Sequence, residues 1–209
     1  MQNSQIIDLL FTLFKSMSVI VTFAYILSRV SSIKHIFTEN FSKYEKIFLI
    51  IFFAILSIIG TFLGIVIMDA YANIRAIGAI MGGIIGGPLI GIIVGLISGL
   101  HRFSLGGFTA LACAIGTTTS GLIGGLFYKK YSRDEINFKD GFIIGTIALS
   151  LEMLIVIIFS RPLNQALNLV QLIGIPMILT NSIAVSIFIS ILNKVKEDEQ
   201  KIRAFQAEK

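Results

Sequence analysis

Residues 69–128 read DAYANIRAIGAIMGGIIGGPLIGIIVGLISGLHRFSLGGFTALACAIGTTTSGLIGGLFY, and this stretch holds most of the chain's glycines. Gly83, Gly87, Gly91, Gly95 and Gly99 recur at every fourth residue, and Ala112, Gly116, Ser120 and Gly124 repeat that spacing further on. Residues four apart share one face of a helix, so each run carves a flat groove into which a neighbouring backbone can settle. Arg75 and Arg102 bracket the first run. The pattern predicts a small anion-binding pocket at one face of a membrane.

The rest of the composition agrees with a membrane setting. Hydrophobic residues make up 55% of the 209, charged residues only 14%, and mean hydropathy is +0.89, far from the range of soluble globular domains. Runs near the ~20 residues needed to cross a hydrocarbon core occur at Ile6–Leu27, Ile47–Met68, Gly106–Phe127, Gly141–Phe159 and Gln171–Leu192. The first has no basic head and no small-residue cleavage site, and its one cation, Lys15, lies inside the run, so it is expected to be a retained span. The fold class is therefore an all-α polytopic membrane protein with about five full spans. A single cysteine, Cys113, excludes an intrachain disulfide. The net charge of +5 does not point to nucleic acid, because the cations gather in three short segments around the spans, which is the signature of membrane topology.

Those segments are 29–46 (Arg29, Lys34, Lys43, Lys46), 129–139 (Lys129, Lys130, Arg133, Lys139) and the tail after 193 (Lys194, Lys196, Lys201, Arg203, Lys209). Positive loops stay in the cytoplasm. All three can do so only if residues 76–100 dip into the membrane and return. Gly86-Gly87-Pro88 supplies the corner: Pro88 removes a backbone donor and disfavours helix before it, and glycine accepts turn geometry. The expectation is two short helices, Ala76–Ile85 and Leu89–Leu100. One Gly-striped helix kinked at Pro88 is the alternative, and it would put Arg75 and Arg102 on opposite sides.

Elsewhere, residues 29–46 and 128–140 read as cytoplasmic connectors. Between Ile47 and Met68 only Ser57 and Thr61 are polar, and Gly60 and Gly64 give that span a close-packing face. Glu152 lies well inside the span 141–159, where a carboxylate is costly and needs a partner or a proton; it is either hydrogen-bonded to a neighbouring Ser or Thr or part of a sensing switch. Arg161-Pro162 ends that span, a loop over Leu163–Val170 follows, Pro176 marks a kink in the last span, and Asn181-Ser182 offer interhelical hydrogen bonds. After Leu192, the apolar residues Leu192, Val195, Ile202 and Phe205 suggest a helix leaving the membrane toward a cytoplasmic domain. The expected organisation is a sensor domain over 1–192, with its core at 28–192, and the start of a signalling helix over 193–209.

The candidate site follows from these placements. On the hairpin reading, Arg75, Arg102 and Arg161 are the cations kept on the outer side against the charge bias. Two guanidinium groups flanking a glycine-lined cleft can receive a carboxylate or phosphate through paired hydrogen bonds. A helix beginning near Gly106 would add its free amides and positive dipole end. Thr109, Cys113 and Thr117 recur on one side of that helix and supply two hydroxyls and a thiol. Asn73 lies two residues before Arg75 and His101 adjoins Arg102, and Asp69 is a possible neutralising partner for Arg75. GGIIGG lacks the Lys-Ser/Thr of a phosphate-binding loop. His35 and His101 have no metal-ligand spacing, no catalytic constellation appears, and neither a metal nor another cofactor is expected.

Several blocks carry a family resemblance: NIR at 73–75, GGPLIGIIVGLISGLHRF at 86–103, LGGFTALACAIGT at 105–117, GLIGGL at 121–126, RPLNQALNLV at 161–170 and PMILTNSIAVSIF at 176–188. In content, order and spacing the chain resembles the five-transmembrane receptor domain of LytS/YhcK-type bacterial sensors. The terminal QAEK resembles the junction with a GAF domain and a histidine kinase domain. The resemblance implies the input domain of a two-component sensor kinase in the bacterial cytoplasmic membrane. Its partner would be a LytTR-type response regulator, and its outputs would be linked to autolysis and cell-wall metabolism or, in enteric members, to pyruvate. It also implies ligand positions at Arg75, Arg102 and Cys113, with Gly116 here where a serine is expected and Thr117 beside it. The short-helix, Gly-Pro turn, short-helix pattern further resembles the substrate-binding S subunits of energy-coupling factor transporters. The expected partners are a small anion such as pyruvate, membrane lipid and a second copy in a homodimer. Two alternatives stay open: a small-solute transport subunit, and the receptor domain of a diguanylate cyclase.

Overall fold

The computed structural model describes residues 2–29, 41–133 and 136–207. The connector at 30–40, with Lys34 and His35, lies outside the described residues, as do 208–209 and the side chains of Ile202 and Phe205. In chain order the described elements are α1 (Gln2–Arg29), α2 (Lys43–Phe62), β1 (Ile65–Ile67), β2 (Ala70–Ala72), α3 (Ala76–Gly86), α4 (Pro88–Ser104), α5 (Ala110–Leu126), α6 (Tyr128–Arg133), α7 (Phe138–Phe159) and α8 (Leu163–Ala207). Among the described residues, five helices are long and apolar enough to cross a membrane: α1, α2, α5, α7 and α8.

α3 is the centre of the bundle. Every residue from Ala76 to Ile85 is buried, as expected of a helix that is apolar on all sides. Around it, α1 packs on α8, α8 on α7, α7 on α5, α5 on α4, α4 on α2, and α2 again touches α1. The eleven residues of α3 and the seventeen of α4 are joined through Gly87, whose φ of 90° is open to glycine and costly for other residues. Pro88 then occupies the first turn of α4, where its missing N–H costs nothing. The two helices fold back on each other along α5, and the kinked single span is excluded.

Glycine sets how closely they approach. A Cβ on Gly91 would run into the Gly121 carbonyl, one on Gly124 into the Ile80 carbonyl, and one on Gly125 into Pro88. Further along, a Cβ on Gly95 would lie 2.6 Å from Thr118 Cα and one on Gly99 2.8 Å from the Ala114 carbonyl. α4 thus lies antiparallel on α5, with the Gly-Gly-Pro corner at the α5 C-terminus and Arg102 at its N-terminus. On the other side, a Cβ on Gly78 would lie 2.8 Å from the Phe53 carbonyl of α2.

Three sequence expectations are corrected. The span from Ile47 does not continue to Met68: α2 stops at Phe62, and 65–72 is an antiparallel hairpin pairing Ile65 with Ala72 and Ile67 with Ala70. Its two-residue turn puts Met68 and Asp69 at φ of 51° and 61°, the conformation of tight hairpin turns. Residues 163–170 are not a loop but the first turns of the 45-residue α8, because nothing in LNQALNLV stops a helix and Pro162 can stand at its start. That helix continues through Pro176. The helix expected to begin near Gly106 begins at Ala110, since Gly106 and Gly107 adopt φ of 71° and 90°.

Candidate ligand site

Arg75 stands at the head of α3, and its backbone is held from two sides. Its N–H donates to Asn73 Oδ1 at 3.1 Å, and its carbonyl accepts from Ser57 Oγ of α2 at 2.8 Å. The side chain runs into the bundle, where Nε donates to Thr117 Oγ1 at 2.7 Å and Nη2 to Glu152 Oε1 at 3.2 Å. The Thr117 hydroxyl in turn donates to the Cys113 carbonyl at 2.8 Å. The acid that pairs with Arg75 is therefore Glu152 of α7, and not the nearby Asp69, which is exposed at the hairpin turn. Gly116 makes this possible: a Cβ there would lie 2.6 Å from Glu152 Cγ.

Arg102 reaches the same region from the end of α4. Its Nη1 donates to the Gly106 carbonyl at 2.6 Å and its Nη2 to Thr109 Oγ1 at 3.1 Å. The Tyr71 ring of β2 covers the guanidinium, with 4.6 Å from Cζ to the ring centroid, a cation–π arrangement. Both arginines are almost fully buried, at 1% and 0% exposed, and Glu152 is 3% exposed.

Beside them lies a cavity bordered by Tyr71, Thr109, Cys113, Glu152 and, from α8, Val170 and Met177; neither arginine lines it, but their partners Glu152 and Thr109 do. It is nearly closed: the centre of a water molecule has only about 10 Å³ to occupy, room for about one water. Arg75 Nη1, Arg102 Nε and Glu152 Oε2 are all buried without a hydrogen-bond partner. Such atoms are expensive in a bundle interior unless something else satisfies them.

The structure thus brings Arg75, Arg102, Thr109, Cys113, Thr117 and Glu152 together. Asn73 and Asn181 form its support: Asn181 Nδ2 donates to the Asn73 carbonyl at 3.3 Å and to the Met177 carbonyl at 2.8 Å, fastening α8 to the turn before Arg75. His101 lies apart from the cavity lining, half-buried with its ring 5.2 Å from that of Phe62. Arg161 is exposed and donates to the carbonyls of Ile158 and Ser160, closing the end of its own helix. Sequence reasoning missed Tyr71, which lies just past the span read to Met68 and offers no signal of its own, and the α8 side of the cavity.

These features define a class: multi-pass membrane domains that hold a polar, charged cluster at the heart of an apolar helix bundle. A family model described as 5TMR of 5TMR-LYT matches residues 30–195. The chain belongs to this family of five-transmembrane receptor domains. It is 37% identical over 206 residues to the sensor histidine kinase BtsS of Escherichia coli K12, and 32% identical over 220 residues to the sensor protein LytS of Bacillus subtilis. It is also 32% identical over 218 residues to LytS of Staphylococcus epidermidis. Each match takes in 96% of this chain but 37% of the relative, so the chain corresponds to a little over a third of those proteins. No solved structure matches it.

Proposed function

We propose that this chain is the input domain of a LytS-type sensor histidine kinase and binds a small extracellular carboxylate, of the size and charge of pyruvate, between Arg75 and Arg102. The observation that carries this reading is the pair of buried guanidinium groups beside one cavity, bonded to Glu152 and Thr109 of its lining and each with a donor that no protein atom satisfies. A carboxylate supplies the acceptors they lack. Thr109 and Cys113 would contact the rest of the ligand, and Thr117 and Asn73 would hold Arg75 in place. The distribution of cations supports an outward-facing site and a cytoplasmic C-terminus.

The cavity's small size bears on signalling. A three-carbon acid does not fit unless its lining parts, and two elements can part: the hairpin carrying Tyr71 and the α8 segment carrying Val170 and Met177. Since α8 runs on as one helix to Ala207, a shift at its cavity end is carried to its far end. The ligand drives that shift only through different affinities for the two packings. The output would be a kinase in a homodimeric parent protein that acts on a LytTR-type response regulator, as proposed from the family membership.

The test is calorimetry of pyruvate on the purified domain. Arg102→Gln removes a charged donor from the site and should weaken binding about 100-fold. Unchanged affinity would overturn the assignment.

A further inference from the structure

Three charged side chains are buried among the described residues, two arginines and one glutamate: Arg75, Arg102 and Glu152. Their charges do not cancel. Glu152 neutralises Arg75 through the 3.2 Å contact. Arg102 is met by a carbonyl, a hydroxyl and an aromatic ring, and among the described residues no carboxylate lies within ion-pair distance of it. The cluster therefore carries one surplus positive charge in an interior where an uncompensated charge is costly.

The geometry points to Glu152 as the residue that sets the ligand's charge, making the site selective for singly charged carboxylates over doubly charged ones. This inference rests on the ligand site proposed above and deepens it. One monoanion brings the cluster to neutrality. A dianion overshoots, and its second carboxylate would meet Glu152, which borders the cavity and whose Oε2 no donor covers. Like charges brought together in a desolvated site are a strong means of rejecting the wrong partner. Gly116 belongs to the same device, since a side chain there would collide with Glu152 and displace the fixed negative charge.

The experiment compares pyruvate, a monoanion, with oxalate, a dianion of similar size, by calorimetry on the whole chain in lipid nanodiscs. The unaltered protein should favour pyruvate by about tenfold or more. Glu152→Gln should cut that ratio by about tenfold or reverse it, whereas Glu152→Asp, which keeps the charge, should preserve the preference. Oxalate binding to the unaltered protein as tightly as pyruvate would overturn the inference, even if the Gln variant did not fold. So would a Gln variant that binds both with the original ratio. If binding is lost in Arg102→Gln but the ratio ignores Glu152, the site stands and only its charge-setting role falls. If neither anion binds the unaltered protein, both readings fall.

Discussion

The two faces of α5 are built on opposite principles. The face toward the hairpin is made of small residues, with Gly121, Gly124 and Gly125 against the backbones of α3 and α4. It carries no charge, and at these glycines there is no space for a side chain. The other face presents Thr109, Cys113 and Thr117 to two arginines and a glutamate, and three of the polar atoms there lack partners. In a membrane there is little hydrophobic drive to bring helices together, so the dry face holds by close packing and fixes the register. The wet face contributes little net stability, because burying paired charges roughly cancels their attraction, but it keeps donors ready for something else. One helix thus separates a seam packed backbone to backbone from a face of incompletely paired polar groups.

The sharpest way to break this comparison is to add volume on the dry face. Gly121→Val would drive a side chain into the Gly91 carbonyl, a backbone atom that cannot rotate away. We expect a cost of about 3 kcal/mol or more, at the upper end for overpacking because neither backbone can yield. The readout is loss of monodisperse, folded protein on size exclusion and a lower melting temperature. A fully folded valine variant would mean that the seam has slack.

On the wet face the expectation has a different form. Glu152→Leu alone leaves Arg75 buried and unpaired, and should cost about 3 kcal/mol. Combining it with Arg75→Met should recover most of that loss, because an apolar pair of similar volume replaces the ion pair at little net cost. Thermal melting of the two singles and the double closes the cycle. A double variant as unstable as the sum of its singles would show that the two side chains are not coupled and that the ion pair is not what each single variant breaks.

Much of the fold was legible in the sequence, for reasons these two faces make plain. Glycines four apart and a Gly-Gly-Pro corner are local signals, and they gave the hairpin of α3 and α4 and placed both arginines at one end of α5. Glu152 was recognisable as a costly carboxylate that needed a partner. Which partner was not, since Arg75 lies 77 residues away and has a nearer acid in sequence, Asp69. The small β-hairpin escaped because Ile65, Val66 and Ile67 prolong an apolar run, and its turn uses Met68-Asp69 in place of the usual Asn-Gly or Asp-Gly signal. The start of α8 was missed for a related reason: a boundary drawn by hydropathy stops where polar residues begin, although a helix does not.

The smallest effect, and the one that sharpens the comparison most finely, concerns the neutral bond that ties α8 to the site. Asn181 donates to the Asn73 carbonyl at 3.3 Å and to the Met177 carbonyl of its own helix at 2.8 Å, while its Oδ1 is buried without a partner. Asn181→Leu removes the tie across helices and also the unsatisfied oxygen, so the losses partly offset. Hydrogen bonds between helices in membranes average about 0.6 kcal/mol, and the net change in stability should be no larger. The tie nevertheless joins α8, which runs on to Ala207, to the residue that precedes Arg75 by two. If α8 answers to the site through this contact, Asn181→Leu should leave the melting temperature within about 2 °C yet change how far pyruvate alters the hydrogen exchange of residues 193–207. If the exchange response is unaltered, the coupling runs through the cavity wall at Val170 and Met177 instead.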